Sequence, residues 1–241
     1  MSNKNQKVIL KDLDQIDYQQ AWDIQEHLLA ENVQIKSASR NQMDYDPLKS
    51  ATRNHLLLCE HNAVYTLGKS GNMDHVLLSA SEMSDRNIQF FKTNRGGDIT
   101  FHGQGQLVGY PILDLEKFTT DIGLYLRNLE EVIIQTIANY DLEGKRSAGE
   151  TGVWLDPDQK GKERKICAIG VRCSRWITMH GFALNVNTDL NYFNHIIPCG
   201  IVNKQVTSLQ AELGREIDMD GVKKHFKTAF EKVYDIEFIS E

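Results

Sequence analysis

The chain has 241 residues, of which 41% are hydrophobic and 25% charged, with a formal net charge of -6. That is the balance of a soluble globular protein large enough to bury an ample core. Its acidity argues against a nucleic-acid binder, whose electrostatic footprint is basic, and no apolar run approaches the roughly 18 residues that span a bilayer. The start, Met1 to Lys7, is polar with no apolar signal core, so a cytoplasmic location is expected. The four cysteines, Cys59, Cys167, Cys173 and Cys199, show neither a disulfide framework nor zinc-ligand spacing and are expected as free thiols, with no metal site.

In chain order, Val8 to Leu10 reads as a short strand. Ala21, Ile24, Leu28 and Leu29 follow at helical spacing. Residues 32–52 are polar and read as the helix tail plus a loop. Leu56 to Cys59 is a buried strand and Val64 to Gly68 another strand or a turn edge, while Ser79 to Met83 is a short-helix candidate. The stretch Phe90 to Leu113 reads as strand, glycine turn, strand, with the turn at Gly96-Gly97-Asp98. Thr120 to Tyr140 is the strongest helix, its apolar face formed by Ile122, Leu126, Leu129, Val132, Ile133 and Ile137, with Thr120 or Asp121 as cap. Short strands follow at 152–155, 165–171 and 181–186, the first two joined by a charged hairpin loop. Residues 207–214 and 218–234 read as helices and Ile236 to Ile239 as a last strand. Strands outnumber helices without regular alternation, which predicts an α+β fold. No linker is visible, so one domain over 1–241 is expected.

Three segments carry chemistry. Cys199 lies in Ile196-Ile197-Pro198-Cys199-Gly200-Ile201. A free cysteine is most often a small buried hydrophobe, but proline and glycine on either side place this one on a turn, where a thiol can face a pocket beside backbone N–H groups suited to an oxyanion. Lys165 enters the apolar run Ile166 to Val171 directly after Lys160, Lys162, Glu163 and Arg164. It reads either as a solvated hairpin lysine or as a partly desolvated one able to take and return a proton, and the local sequence does not rank it above Lys69 or Lys204. A thiol reacts as thiolate, and a nearby ammonium favours that form. The glycine-rich stretch from Arg95 to Gln106 lets backbone approach a ligand closely. It is neither a Walker loop nor a dinucleotide fingerprint. His102 within it, and His61, read as bases or as hydrogen-bonded pocket histidines. The basic residues Lys160, Lys162, Arg164, Lys165, Arg172 and Arg175 read as a solvated face or as a docking patch for an acidic partner.

Taken together, His61…Val64-Tyr65-Thr66, Arg95-Gly96-Gly97…His102-Gly103, Gly109-Tyr110-Pro111, the Lys165 strand, His180-Gly181…Ala183-Leu184-Asn185-Val186, Pro198-Cys199-Gly200 and Val206-Thr207-Ser208-Leu209 resemble the lipoyl/octanoyl transferase family over roughly residues 55–210. The resemblance implies an α+β fold with a mixed or antiparallel sheet and packed helices, similar to lipoate- and biotin-protein ligases. It implies transfer of an octanoyl or lipoyl group from acyl carrier protein to a lysine of lipoyl domains of 2-oxoacid dehydrogenase complexes or of glycine cleavage H protein. Cys199 would carry the acyl group as a thioester and Lys165 would tune the thiol and move protons. Arg95, Gly96, Gly97, Asp98, Ile99, Thr100, Phe101 and His102 would line the acyl site with Ala168, Ile169, Gly170, Gly181, Phe182 and Ala183. Ile169, Phe182 and Leu184 are expected walls of its apolar tunnel. No cofactor and no ATP are implied, since the acyl chain arrives activated on phosphopantetheine; neither nucleic acid nor membrane is an expected partner, and a monomer is expected. Two positions depart from the pattern: Gln104 stands where proline is frequent and Ala168 where serine is. An ATP-dependent ligase, an amidotransferase between carrier domains and a non-catalytic carrier-binding module stay open as alternatives.

Overall fold

The computed structural model describes residues 6–39, 46–197 and 205–240. In chain order its elements are β1 (Gln6–Ile16), α1 (Tyr18–Ser39), β2 (Asn54–His61), β3 (Val64–Leu67), α2 (Ala80–Asp85), β4 (Gln89–Lys92), β5 (Ile99–His102), β6 (Gln106–Ile112), α3 (Ile122–Ala138), β7 (Lys145–Ser147), β8 (Glu150–Leu155), β9 (Arg164–Ser174), β10 (Ile177–Asn185), β11 (Gln205–Val206), α4 (Leu209–Leu213), α5 (Met219–Tyr234) and β12 (Ile236–Ile239). The larger sheet runs β12-β1-β2-β6-β10-β9-β8-β7, with β11 added to β9, and a smaller sheet runs β4-β3-β5. β1 pairs in parallel with both β12 and β2, whereas β2, β6, β10, β9 and β8 pair antiparallel in succession. This is the expected α+β architecture with a mixed sheet.

The uninterrupted apolar run in β2 reflects burial on both faces. Leu56 and Leu58 pack with α3 and α5 through Leu129, Ile133 and Phe226, while Leu57 and Cys59 pack with α1 through Ala21 and Leu29. α3 follows its predicted apolar stripe, and Asp121 caps it by accepting from the Leu124 N–H at 3.0 Å. No helix among the described residues is long and apolar enough to cross a membrane.

Two sequence expectations change. The strand–glycine turn–strand reading of Phe90 to Leu113 fails, because β4 and β5 lie on opposite sides of β3. The 93–98 segment is therefore a crossing loop, not a hairpin. The buried face of α1 is also more polar than its periodicity suggested: Gln25, Asn32 and Lys36 lie inside, in line with Tyr18, Ala21 and Leu29. Each has a partner. The Asn32 side chain accepts from the Arg53 N–H and donates to the Arg53 carbonyl, both at 2.8 Å. Lys36 Nζ donates to Asp114 Oδ1 at 2.7 Å and lies 3.0 Å from Glu116 Oε2, with the Lys36 and Asp114 side chains essentially inaccessible. Thr52 Oγ1 donates to the other Asp114 oxygen at 2.8 Å.

Removing one partner of such a pair leaves an uncompensated buried charge. Lys36→Ala is therefore expected to lower unfolding free energy by about 3–5 kcal/mol, read from urea denaturation, while Lys49→Ala, at a lysine 84% exposed beside Asp46, leaves the midpoint in place.

Candidate active site

A cavity of about 640 Å³ opens between β9, β10, the 95–102 segment, the first turns of α3 and the start of α1, a volume in the range of small-ligand sites, roughly 300–1,000 Å³. Antiparallel pairing of β9 with β10 makes one patch from two distant sequence segments: Ala168 faces Ala183, Ile169 faces Phe182 and Gly170 faces Gly181 across the strands. All six line the cavity. The crossing loop lies directly over this patch. The Gly96 N–H donates to the Val171 carbonyl at 2.9 Å, and a Cβ added to Gly170 would fall 2.9 Å from the Gly96 carbonyl oxygen. Only glycine at 170 permits that approach.

Arg95, Gly96, Gly97, Asp98, Ile99, Thr100 and His102 also line the cavity. Phe101 does not. Strand alternation in β5 turns it the other way, where its ring stacks on Tyr192 at 4.4 Å and packs with Tyr65. Leu184 is likewise not on the cavity wall but in the core with α3 and α5.

Arg95 is buried, and its guanidinium is spent on fixing the wall. Nη2 donates to the Thr66 carbonyl at 2.5 Å and to Thr66 Oγ1 at 2.9 Å, and Nη1 donates to the Gly96 carbonyl at 2.9 Å. The Thr66 hydroxyl then donates to His102 Nε2 at 3.3 Å, and His102 Nδ1–H donates to Gln106 Oε1 at 2.9 Å. Gln106 Nε2 donates to Asn185 Oδ1 at 2.8 Å, Asn185 Nδ2 donates to the Thr207 carbonyl at 2.9 Å, and the Thr207 N–H donates to the Lys165 carbonyl at 2.9 Å. A continuous chain of hydrogen bonds thus runs from Arg95 to the backbone of Lys165.

The cavity histidines His102 and His180, and His61 packed behind them against Tyr110, are neutral acceptors and donors, not charges. Burial holds His61 down at about 4; its Nδ1–H donates to the Ile16 carbonyl at 2.8 Å and its Nε2 accepts from the Tyr110 hydroxyl at 2.7 Å. His102 is pushed well below the ordinary imidazole range by burial, with His61 and Arg95 adding to the effect. His180, at about 3 through burial and the nearby Arg95, donates from Nε2 to Asn94 Oδ1 at 2.7 Å. Tyr18 stacks on His102 with ring centres 5.9 Å apart, and its hydroxyl is pushed up to about 12 by burial.

Lys165 lies at the start of β9 and on the cavity wall, between Trp154 of β8 and Val206 of β11. Its Nζ sits 4.6 Å from the centre of the Trp154 ring, a cation–π contact, so it is not a freely solvated hairpin lysine. Cys199 lies outside the described residues, as do Pro198 and Gly200. The chain leaving and re-entering that segment is placed: the Ile197 N–H donates to the His75 carbonyl, and Gln205-Val206 pairs with Arg164-Lys165. Cys59, Cys167 and Cys173 are free thiols; burial pushes the Cys59 and Cys167 thiols up, which disfavours them as nucleophiles.

Part of the basic segment is paired within the fold. Arg164 is held by Glu212 through Nε and Nη2, at 2.6 and 2.7 Å, and by Asp156 at 2.6 Å. Arg172 pairs with Glu26 at 2.8 Å, and Arg175 donates to Ser37. Local carboxylates, invisible in a one-dimensional charge count, thus meet Arg164 and Arg172. Sequence reasoning also missed Tyr18, Tyr110, Gln106, His180 and Asn185 as cavity residues. The motifs containing the last four were legible, but nothing in the local sequence marks Tyr18, which reaches the site only through the packing of α1.

A mostly apolar cavity on a mixed sheet, covered by a glycine loop and flanked by a strand-borne lysine, is a site for a small ligand, and the comparisons give its class. A family model described as the lipoyl protein ligase A/B catalytic domain matches residues 17–231. The chain is 52% identical to an octanoyltransferase of Christiangramia forsetii, over 97% of this chain and 98% of that one. It is 54% identical to an octanoyltransferase of Flavobacterium johnsoniae, over 94% and 98%. Among solved structures, the bi-partite lipoate protein ligase of Thermoplasma acidophilum superposes with a TM-score of 0.63 at 15% identity, covering 99% of this chain and 86% of that one. A lipoate-protein ligase A bound with ATP gives 0.63 at 14%, covering 98% and 88%; these two likenesses speak for the fold. The protein is an acyltransferase. It belongs to the lipoyl protein ligase A/B catalytic domain family, with the octanoyltransferases as its relatives.

Two outcomes follow from this geometry. Gly170→Val forces the 95–97 loop off the sheet and is expected to weaken acyl binding at least tenfold, by titration with octanoate, with the far-ultraviolet dichroism unchanged. His61 and His180 titrate lower in the fold than the 6.5 of a free histidine, so above that pH their contribution to stability is complete. Below it the unfolded chain takes up protons that the fold refuses. Stability is expected to fall from pH 6.5 toward pH 4, by up to about 1.4 kcal/mol per histidine per pH unit, and His61→Gln is expected to flatten the slope in urea titrations.

Proposed function

We propose that this enzyme transfers an octanoyl group in protein lipoylation, taking it from the phosphopantetheine thiol of acyl carrier protein and delivering it to a carrier-domain lysine through a thioester on Cys199. The observation that carries the reading is the position of Lys165 on the acyl cavity wall, beside the strand at which the Cys199 segment rejoins the sheet, in a chain about half identical to named octanoyltransferases along nearly its whole length.

In the first step the Cys199 thiolate attacks the donor carbonyl. The bond to the pantetheine sulfur breaks, and that thiolate leaves with a proton from Lys165. One thioester replaces another, so the exchange is nearly neutral in energy and needs no ATP. In the second step the acceptor lysine amine attacks the acyl-enzyme, its proton passes to Lys165, and Cys199 leaves as thiolate. An amide replaces a thioester, so the step runs downhill. Covalent catalysis divides transfer between two bulky proteins into separate encounters. Burial of the chain against Ile169, Phe182 and Ala183 contributes roughly 0.8 kcal/mol per methylene. Lipoyl domains or the glycine cleavage H protein are the acceptors this reading names.

Incubation with octanoyl acyl carrier protein without ATP is expected to add one octanoyl mass to the wild type, labile to hydroxylamine and absent from Cys199→Ser. Lys165→Met is expected to slow the adduct by a hundredfold or more. An adduct that appears only with ATP and free octanoate would overturn this reading in favour of an adenylating ligase.

A further inference from the structure

Asp98 lies on the cavity wall, yet its carboxylate points away from any acyl chemistry. Oδ1 accepts from the Asn72 N–H at 3.2 Å and Oδ2 accepts from His75 Nδ1–H. The Asp98 side chain is 9% exposed and that of His75 24%. The approach is close enough that a Cβ on Gly71 would fall 2.8 Å from Asp98 Oδ1 and 2.3 Å from Leu67 Cδ1. The backbone repeats the connection: the N–H groups of Gly68, Lys69 and Ser70 donate to the carbonyls of Asp98, Arg95 and Gly97 at 3.1, 2.9 and 3.2 Å. The 68–75 segment is thus stitched to the loop that covers the acyl cavity.

The other edge of that segment holds something else. The Ile197 N–H donates to the His75 carbonyl at 2.9 Å and the Leu77 N–H donates to the His195 carbonyl at 3.0 Å. Val76 and Ile196 form an isolated antiparallel bridge between them. Ile197 stands two positions before Cys199. One residue, His75, therefore bonds through its ring to the cavity wall and through its carbonyl to the stem from which the proposed nucleophile emerges. Neither role belongs to the Cys199–Lys165 chemistry, and the pairing is not part of the relay that links Arg95 to Lys165.

We propose that Asp98 and His75 are a positioning pair that locks the 195–197 stem to the wall of the acyl cavity, setting where the following nucleophile meets the acyl carbonyl. The proposal rests on the Cys199 thioester reading for its catalytic consequence, but the lock itself does not. A buried carboxylate that accepts from both a backbone N–H and an imidazole has little rotational freedom, and the two-residue ladder at Val76 and Ile196 is too short to hold register unaided.

The experiment compares wild type, His75→Phe and His75→Asn. Phenylalanine keeps bulk and backbone but cannot bond Asp98, whereas the asparagine amide still donates to it. Hydrogen exchange of the Leu77 and Ile197 amides is expected to rise at least tenfold in His75→Phe, with β6 and β10 amides unchanged, and to return near wild type in His75→Asn. Single-turnover formation of the octanoyl thioester is expected to slow about tenfold in His75→Phe, with the donor KM within twofold, and to recover in His75→Asn. Wild-type exchange at Leu77 and Ile197 in His75→Phe would overturn the lock. Faster exchange with an unchanged thioester rate would overturn its role in positioning. Should the wild type form no thioester, the thioester reading falls with the catalytic role that depends on it, and the exchange rates still decide whether the lock exists.

Discussion

The structure depends on one close contact: the backbone of Gly96 lying on the backbone of β9, with its N–H on the Val171 carbonyl and its own carbonyl over Gly170. A side chain at 170 would hold the loop away from the sheet. With the contact made, the small sheet is fixed over the large one and the space between them becomes a mostly apolar cavity. Arg95, next to the contact, is held where it reaches Thr66, and from Thr66 the hydrogen-bond chain to His102, Gln106, Asn185 and Thr207 follows. Similar crowding recurs on the neighbouring strands, where a Cβ on Gly109 would meet the Phe182 ring at 2.1 Å and one on Gly181 would meet the Gly109 carbonyl. The sheet is thinned by glycine where the ligand space is needed.

The polar groups buried in this wall and in the core around it are held by partners within the protein rather than left to a ligand. Buried polar atoms are tolerable when satisfied and costly when not, and here Gln25, Asn32, Lys36, His61, His102, Gln106, Asn185 and Asp114 each have a partner. For an acyl chain this is a suitable environment: a largely apolar surface of neutral histidines, tyrosine rings and aliphatic strand residues, with Arg95 and Asp98 engaged by partners within the protein and the cavity lysine at its β11 side. Neutral imidazoles attract no counter-ion and little water, so the energy of chain burial is retained.

The same architecture occurs in a lipoate-protein ligase A bound with ATP, which illustrates that chemistry resides in the site and not in the fold. On the proposed reading the difference is the source of activation. A ligase must make a high-energy acyl derivative in place, whereas a transferase receives one and needs only a thiol, a proton carrier and access for two partners in turn. Lys165, packed over Trp154 and flanked by β8 and β11, is restrained in a way suited to a proton carrier, because a positioned amine loses less freedom on reaching its target than a solvated one.

The amino-acid sequence by itself determined the class of fold and the segments of chemistry. The apolar run of β2, the stripe of α3 and the closing strand β12 stand where periodicity put them, because local hydrophobic pattern fixes which face an element must bury. The loop from Arg95 to His102 and the strands bearing Ala168 to Gly170 and Gly181 to Ala183 were legible as ordered motifs of a family. Tertiary structure decided the rest. Which residues of β5 face the cavity depends on the pleat, so Phe101 turned into the core while Thr100 and His102 did not, and Leu184 packs in the core with α3 and α5 although Phe182 on the same face of β10 reaches the cavity. The polar buried stripe of α1 could not be read from hydrophobicity, since Gln25, Asn32 and Lys36 are interior only because Ala21, Leu29 and their neighbours bring matching partners from far along the chain. Charge, too, was settled in three dimensions: Arg164 and Arg172 count as a basic patch in sequence, but Glu212, Asp156 and Glu26 meet them in space. Long-range pairing is the common reason, for no local pattern encodes the partner that folding brings to it.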